Sequence, residues 1–309
     1  MVQGFFISSL SQAGGAGVRS FEYLIPKNLE EAIAMRVEHG ERSRYIAGGT
    51  ELVVLMKRGK VKVDYIIELS RLEGLRSLRR VGDGVSIGPL TTHTEIERSP
   101  LFRGPLAALA EASASIREPQ VKNLGTIGGN IAIAVPSADT APPLLVFDAV
   151  LTLRGKNGVR KVPISEFFVS PYRTVLGLDE LLEEIRVPDP GPAFGSAFYK
   201  LGRHHNLGLT VVSVAASLKL EGGVIAQARV AMGSAAPTPR RVVDAEAMLV
   251  GSKPDVSIFR EAGRLVAQSA EPRVGSIRGS PEYKREVLPV LTERALSLAA
   301  ARAQTSAVG

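Results

Sequence analysis

The sequence predicts an α+β protein built from two domains, and three observations carry that prediction. Strand-length apolar runs bounded by turn residues are interleaved with amphipathic helical stretches along the chain of 309 residues. In the last third the strand-like runs come first and the helical ones follow, an order that lays helices on one face of an antiparallel sheet. Between the halves stands Pro188-Asp189-Pro190-Gly191-Pro192, whose three prolines can continue neither a helix nor a central strand. At about 150 residues per domain, the length suits two domains or three.

Composition narrows the function classes. With 45% hydrophobic and 22% charged residues, the chain has enough apolar mass to bury a core and is not disordered. No run of about 18 apolar residues escapes a charge or a proline, so no membrane span is expected. The cysteine count is zero, which excludes disulfides, thiolate zinc sites, cysteine-held iron–sulfur clusters and a cysteine nucleophile. Four histidines leave little room for a histidine-rich metal site. The formal charge of +7 suits an anionic partner or cofactor. Both signs are interspersed, so nucleic acid is not implied. The apolar patch Phe5-Phe6-Ile7 precedes the first cation, Arg19. A secretory signal has the reverse order, so a flexible extension over residues 1–20 of a cytoplasmic protein is expected. Residues 303–309 are expected to fray.

Taken in order, the first element is a helix over 29–39. Asn28 can cap it, Glu31 follows three residues on, Gly40 can end it, and Leu29, Ala32, Ile33 and Val37 form its apolar stripe. A short strand over 44–47 breaks at Gly48-Gly49, and 52–57 reads as one or two helical turns. Strands are expected at 65–69 and 85–88, helices at 92–98 and 101–112. A Gly-rich polar loop is expected from 116 to 130. Asp139 can cap a helix running to about 148, with Pro142 and Pro143 in its first turn. Runs 151–154 and 159–162 flank Asn157-Gly158, a strong hairpin signal, and 183–187 is another strand. Beyond the prolines come strands at 193–200, 210–220 and 225–232, with Glu221-Gly222-Gly223 turning the second into the third. Helices follow at 242–250, 256–270 and 281–303.

Two segments carry chemistry. Ala47-Gly48-Gly49-Thr50-Glu51-Leu52 lies between a strand and a helical turn. Gly125-Thr126-Ile127-Gly128-Gly129-Asn130 lies in the long polar stretch. Adjacent glycines let backbone approach a ligand closely, and successive free N–H groups form an anion-binding nest. Thr50, Thr126 and Asn130 add donors. Two such loops would clamp the phosphates of a dinucleotide from opposite sides; alternatively, each double glycine is only a tight turn. There is no G-x-G-x-x-G after a strand and no P-loop, so neither the usual dinucleotide fold nor an ATPase is indicated.

With Phe21-Glu22-Tyr23, Pro26, Met56-Lys57, Gln120-Val121-Lys122-Asn123, Pro136-Ser137-Ala138-Asp139, Phe198-Tyr199-Lys200-Leu201, Arg203, Ala235-Ala236-Pro237-Thr238-Pro239 and Glu282-Tyr283-Lys284, these loops resemble the flavoprotein (medium) subunit of the molybdenum hydroxylases. That family includes the carbon monoxide dehydrogenase medium subunit and the FAD segment of xanthine dehydrogenase. The resemblance runs from about residue 20 to 300.

The resemblance implies a two-lobed FAD-binding domain of the vanillyl-alcohol-oxidase type at 21–190, with lobes of about 21–75 and 76–190. A C-terminal α+β domain at 193–303 follows, a three-stranded antiparallel sheet plus helices. It implies that Ala47, Gly48, Gly49, Thr50, Glu51 and Leu52 hold the FAD pyrophosphate, and that Thr126, Gly128, Gly129 and Asn130 hold it from the other side. Asp139 would hydrogen-bond FAD, or simply cap its helix. Leu181 and Leu182 would touch the flavin ring, or be core leucines. Lys200 would sit near the isoalloxazine, where a cation stabilises reduced, anionic flavin, or be an exposed lysine at a strand end. Ile116 replaces an aromatic residue that stacks on the cofactor in some members. His204 and His205, adjacent on one chain, make a poor metal pair. Arg240-Arg241 and Lys284-Arg285 read as solvated charges or subunit contacts.

The implied role is electron transfer. A molybdopterin-binding large subunit oxidises substrate, a small subunit carries electrons on [2Fe-2S] clusters, and this chain passes them through FAD to an external acceptor, in a dimer of heterotrimers. No residue of this chain need be catalytic and none holds a metal. The alternatives are a stand-alone flavin oxidase or reductase of the same fold, and a scaffold that has lost FAD.

Overall fold

The computed structural model describes residues 19–202 and 208–306. The extension expected over 1–20 (except Arg19 and Ser20) and the segment Arg203-His204-His205 lie outside the described residues.

The first part of the chain runs β1 (Glu22–Leu24), α1 (Leu29–His39), β2 (Ser43–Ile46), α2 (Leu52–Lys57) and β3 (Tyr65–Glu68), with the three strands parallel in the order β1-β3-β2. Asn28 caps α1 by accepting from the Glu31 N–H at 2.8 Å, while the Glu31 carboxylate accepts from the Lys27 N–H at 2.6 Å. The buried stripe is Ala32, Ile33 and Arg36 rather than one ending at Val37, which is exposed. Arg36 takes that place because its guanidinium finds the Ser43 carbonyl at 2.8 Å and hydroxyl at 2.9 Å, partners that make a buried cation tolerable.

The next part holds β4 (Leu78–Val81), β5 (Gly84–Ile87), α3 (His93–Arg98), α4 (Ala107–Ala114), α5 (Pro119–Leu124), α6 (Ile127–Ala132), α7 (Ala141–Val146), β6 (Val150–Gly155), β7 (Gly158–Pro163), a small hairpin of β8 (Phe168–Ser170) and β9 (Arg173–Thr174), and β10 (Leu181–Pro188). Its five-stranded sheet has the order β4-β5-β10-β6-β7, all neighbours antiparallel. Two expectations are corrected here. The loop expected from 116 to 130 holds two helices: Pro119 starts α5 at a position where its missing N–H costs nothing, and Thr126 caps α6. The helix expected over 101–112 begins only at Ala107, because Gly104 (φ +55°) and Pro105 break its first half into two tight 3₁₀ turns.

The last part runs β11 (Phe194–Gly202), β12 (Thr210–Glu221), β13 (Val224–Gly233), β14 (Arg240–Arg241), α8 (Val243–Leu249), α9 (Val256–Gln268) and α10 (Pro281–Ser306). The three expected strands form an antiparallel meander, and two-residue β14 adds an edge. Residues 303–306 are helical, not frayed, because Ala303 is buried against the sheet side of α10.

Strand β12 explains how the parts join. Val212, Val214, Ala216 and Leu218 point into a core shared with α8, α9 and α10. Ser213, Ala215 and Ser217 alternate to the other face, where Ala215 joins the core of the five-stranded sheet and the Ser217 hydroxyl donates to the Val146 carbonyl at 3.0 Å. Small residues there let α7 approach the strand. Phe194 and Phe198 of β11 enter that same core. Arg302 of α10 clamps the seam, bridging the Glu111 carboxylate at 2.5 Å and the Ser196 carbonyl at 2.6 Å. Among the described residues no helix is long and apolar enough to cross a membrane.

Candidate cofactor site

The first double glycine follows β2 directly. Gly49 has φ +69°, a conformation glycine adopts without cost. Gly48 is required by space: a Cβ there would overlap the carbonyl of Leu124 outright and stand 3.1 Å from the Gly125 nitrogen. The first loop is thus seated on the residues that lead into the second. From Gly48 to Leu52, no backbone N–H donates to another described residue; Gly49 and Glu51 serve instead as acceptors for Val53 and Leu55 at 3.1 and 3.0 Å. Five successive amides are left for an outside acceptor, as an anion nest requires.

The second double glycine is built differently. The Thr126 hydroxyl accepts from the Gly129 N–H at 3.1 Å and caps α6. The Ile127 N–H goes to the Thr91 carbonyl at 2.9 Å, that of Gly128 to Pro89 at 2.9 Å, and that of Asn130 to Thr126 at 2.9 Å. All four amides are engaged, so this loop does not offer the matching nest that symmetry with the first suggests. Gly128 serves packing, since a Cβ there would lie 2.5 Å from the Pro89 Cβ. The Asn130 side-chain oxygen is occupied by the Thr140 hydroxyl at 2.6 Å.

Asp139 and Lys200 meet beside the second loop, whose Asn130 bonds Thr140, the neighbour of Asp139. Both side chains are about nine-tenths buried, and Lys200 Nζ lies 2.6 Å from Asp139 Oδ2. The other carboxylate oxygen accepts from the Thr210 hydroxyl at 2.6 Å, and Lys200 also reaches the Ser115 carbonyl at 3.3 Å. Burial raises the Asp139 carboxyl above its ordinary pKa, while Lys200 and Thr210 pull it back. Two expectations fall here. Asp139 does not cap α7, whose cap is Thr140 without a side-chain bond, because its carboxylate is spent on Lys200 and Thr210. Lys200 is no exposed strand-end lysine.

His93, the first residue of α3, was not singled out by the sequence reading. It is buried, its N–H donates to the Gly125 carbonyl at 3.2 Å, and its ring lies 3.2 Å from the position a Gly125 Cβ would take. Burial first, then nearby Lys200, pushes its pKa down to about 4, so the ring is neutral. Its role rests on burial and on the tie to Gly125, neither of which a sequence shows.

Leu181 and Leu182 are buried on opposite faces of β10; Leu182 belongs to the main core, and α6 packs on this strand. Ile116 is buried. Arg241 is not solvated: it pairs with Glu246 at 2.5 Å and Asp148 at 2.6 Å. Lys284 is buried and donates to the Ser234 carbonyl at 2.8 Å. A cleft of about 490 Å³ opens between the first part of the chain (Leu29, Gly74, Leu75) and the sheet face bearing Ser86, Thr152 and Glu184. Gly88 lines it, next in the chain to the Pro89 that backs Gly128.

Residues 19–190 match the family model described as the FAD binding domain in molybdopterin dehydrogenase, and residues 197–299 that of the CO dehydrogenase flavoprotein C-terminal domain. The chain is 34% identical over 285 residues to the carbon monoxide dehydrogenase medium chain of Hydrogenophaga pseudoflava, covering 91% of this chain and 98% of that one. It is 31% identical to the xanthine dehydrogenase FAD-binding subunit of Escherichia coli O157:H7, covering 89% and 94%. A solved structure of the Hydrogenophaga carbon monoxide dehydrogenase superposes with a TM-score of 0.89 over 93% of this chain and 99% of that chain, at 34% identity. Quinoline 2-oxidoreductase from Pseudomonas putida 86 gives 0.86 over 94% and 99%, at 26% identity.

Proposed function

Since this chain belongs to the FAD-binding subunits of the molybdenum hydroxylases, oxidoreductases with FAD as cofactor, we propose that it is their electron-transfer subunit, taking electrons from [2Fe-2S] clusters of a partner and passing them through FAD to an external acceptor. A molybdopterin-binding large subunit and a [2Fe-2S] small subunit complete the complex, as a dimer of heterotrimers in the cytoplasm. Relatives named medium chain support this division of labour, and so does the absence of cysteine from the sequence, which leaves cysteine-held clusters to another chain.

The observation that carries the reading is the row of five unengaged amides from Gly48 to Leu52, held in place by the close seating of Gly48 on Leu124. Their partial positive charge suits a pyrophosphate. Ala47, Gly48, Gly49, Thr50, Glu51 and Leu52 are therefore the phosphate cradle. Thr126, Gly128, Gly129 and Asn130 brace it rather than forming a second nest. When bound, the flavin supplies the ability to take up and give out electrons one or two at a time. The chain's own residues bind and tune: Lys200 keeps a cation in a nearly dry site, Asp139 and Thr210 hold that cation in place, and Leu181, on the face of β10 opposite the core leucine Leu182, shields the site from water. Residues 21–190 hold the cofactor, and 193–303 cover it with Lys200 and Thr210.

The test is the visible spectrum of the protein after incubation with FAD and desalting. Retention near one FAD per chain, lost in Gly48→Val, supports the cradle. Copurification with a large and a small subunit, and flavin reduction only in their presence, supports the electron-transfer role. Reduction of the flavin by a small organic substrate with this chain alone would establish a stand-alone oxidase instead.

A further inference from the structure

His93 Nδ1 is fully enclosed and makes no hydrogen bond to any described residue. Buried polar side-chain atoms are rarely left without a partner, so such an atom calls for an explanation. The residue is held rigidly. Thr92 and Glu95 form a reciprocal capping box at the start of α3, and the His93 N–H is tied to Gly125. Gly125 has an ordinary backbone conformation (φ −63°, ψ 135°). What it needs is space: a Cβ there would meet the Val121 carbonyl at 2.6 Å, His93 Cδ2 at 3.2 Å and His93 Nε2 at 3.5 Å. The imidazole edge bearing Nε2 therefore lies against the entry to the second glycine loop.

Hydrogen-bond bookkeeping assigns the tautomer. A bare lone pair enclosed in protein is cheaper than an unpaired N–H, which puts the proton on Nε2 and makes that edge a donor. We propose that His93 is a cofactor-binding residue whose neutral imidazole donates from Nε2 to an oxygen of FAD lying between the second glycine loop and the Asp139–Lys200 pair. Protonation would place a second cation beside Lys200, and burial keeps the ring neutral. This gives the second loop a part in binding although its own amides are engaged. The inference rests on the reading that this chain holds FAD.

The experiment compares the full chain with His93→Phe, which keeps the ring's packing and removes both nitrogens, and with His93→Gln, whose amide N–H reaches the Nε2 position. FAD affinity is measured by flavin fluorescence, and ADP affinity by its competition with FAD. The Phe variant is expected to weaken FAD roughly 10- to 100-fold and the Gln variant to recover most of that. Equal weakening of ADP assigns the acceptor to the pyrophosphate. Unchanged ADP binding with a shifted flavin spectrum and reduction potential assigns it to a flavin carbonyl; both support the contact. Phe binding FAD and ADP as the unaltered chain does would overturn it. If the Phe variant does not fold, ¹⁵N-histidine spectra of the unaltered protein decide. The His93 Nε2–H signal moves on adding FAD if the contact exists, and stays put if it does not. An unaltered chain that binds no FAD even with its partner subunits removes the underlying reading, and this inference with it.

Discussion

Removing the cation of the Asp139–Lys200 pair strands a carboxylate that burial already disfavours. Lys200→Met is expected to cost about 3–5 kcal/mol at neutral pH, measured by denaturant unfolding, and Asp139→Asn in the same chain should return most of it. The Asp139 carboxyl is raised in the folded protein, so its contribution is present below the ordinary carboxylate pKa and is lost as pH rises through the folded one. The penalty of Lys200→Met should therefore fade in acid. His93 works in the opposite sense. Its folded pKa of about 4 lies below the ordinary 6.5, so the unfolded chain binds the extra proton between these values. Stability is then lost as pH falls through that window, by roughly 3 kcal/mol in full. The fall in unfolding midpoint over this range should flatten in His93→Phe; an unchanged fall would assign it to other groups. At this scale the sequence marked Asp139 and Lys200 as single residues. It could not show that they pair, because 61 positions separate them, nor that His93 is buried.

The two glycine loops look alike as strings and differ as elements. Gly48→Ala drives a Cβ into a backbone carbonyl that cannot move aside, so a loss of more than about 3 kcal/mol, or of flavin retention, is expected. Gly128→Ala meets Pro89 at 2.5 Å and should cost about 1–3 kcal/mol. At Gly129 the nearest atom is the Thr126 hydroxyl at 3.0 Å, a small side chain, and alanine favours the helix by about 1 kcal/mol. Gly129→Ala should fold within about 1 kcal/mol of the unaltered chain. Thermal melts of the three variants, with flavin content measured beside them, check the ranking. Helix α1 and the Asn157-Gly158 hairpin were legible because their signals are local: a cap, a stop, a turn. Strands β1 and β4 were not, because β1 is three residues long and β4 is largely exposed; partners rather than pattern hold them in sheets.

At the scale of the molecule, the sheet of β11–β13 shares its inner face with the core under the five-stranded sheet, through Phe194, Phe198, Ala215 and Ala231. Because neither part can shed that face without exposing the other, calorimetry of the chain should show one cooperative unfolding transition, with calorimetric and van't Hoff enthalpies equal. Two resolved transitions would contradict the shared core. Opening the Arg302 clamp with Arg302→Met should cost about 1–3 kcal/mol, since Glu111 and the Ser196 carbonyl lose their donor while partly buried. By itself the sequence determined the fold class and the family, because these rest on local conformational preference and on motifs contiguous in the chain. Only the tertiary structure decided which loop leaves its amides open, which charges are buried, and that His93 is buried against Gly125. Those properties depend on which distant backbone groups take up each donor and exclude water, and no stretch of contiguous residues contains that information.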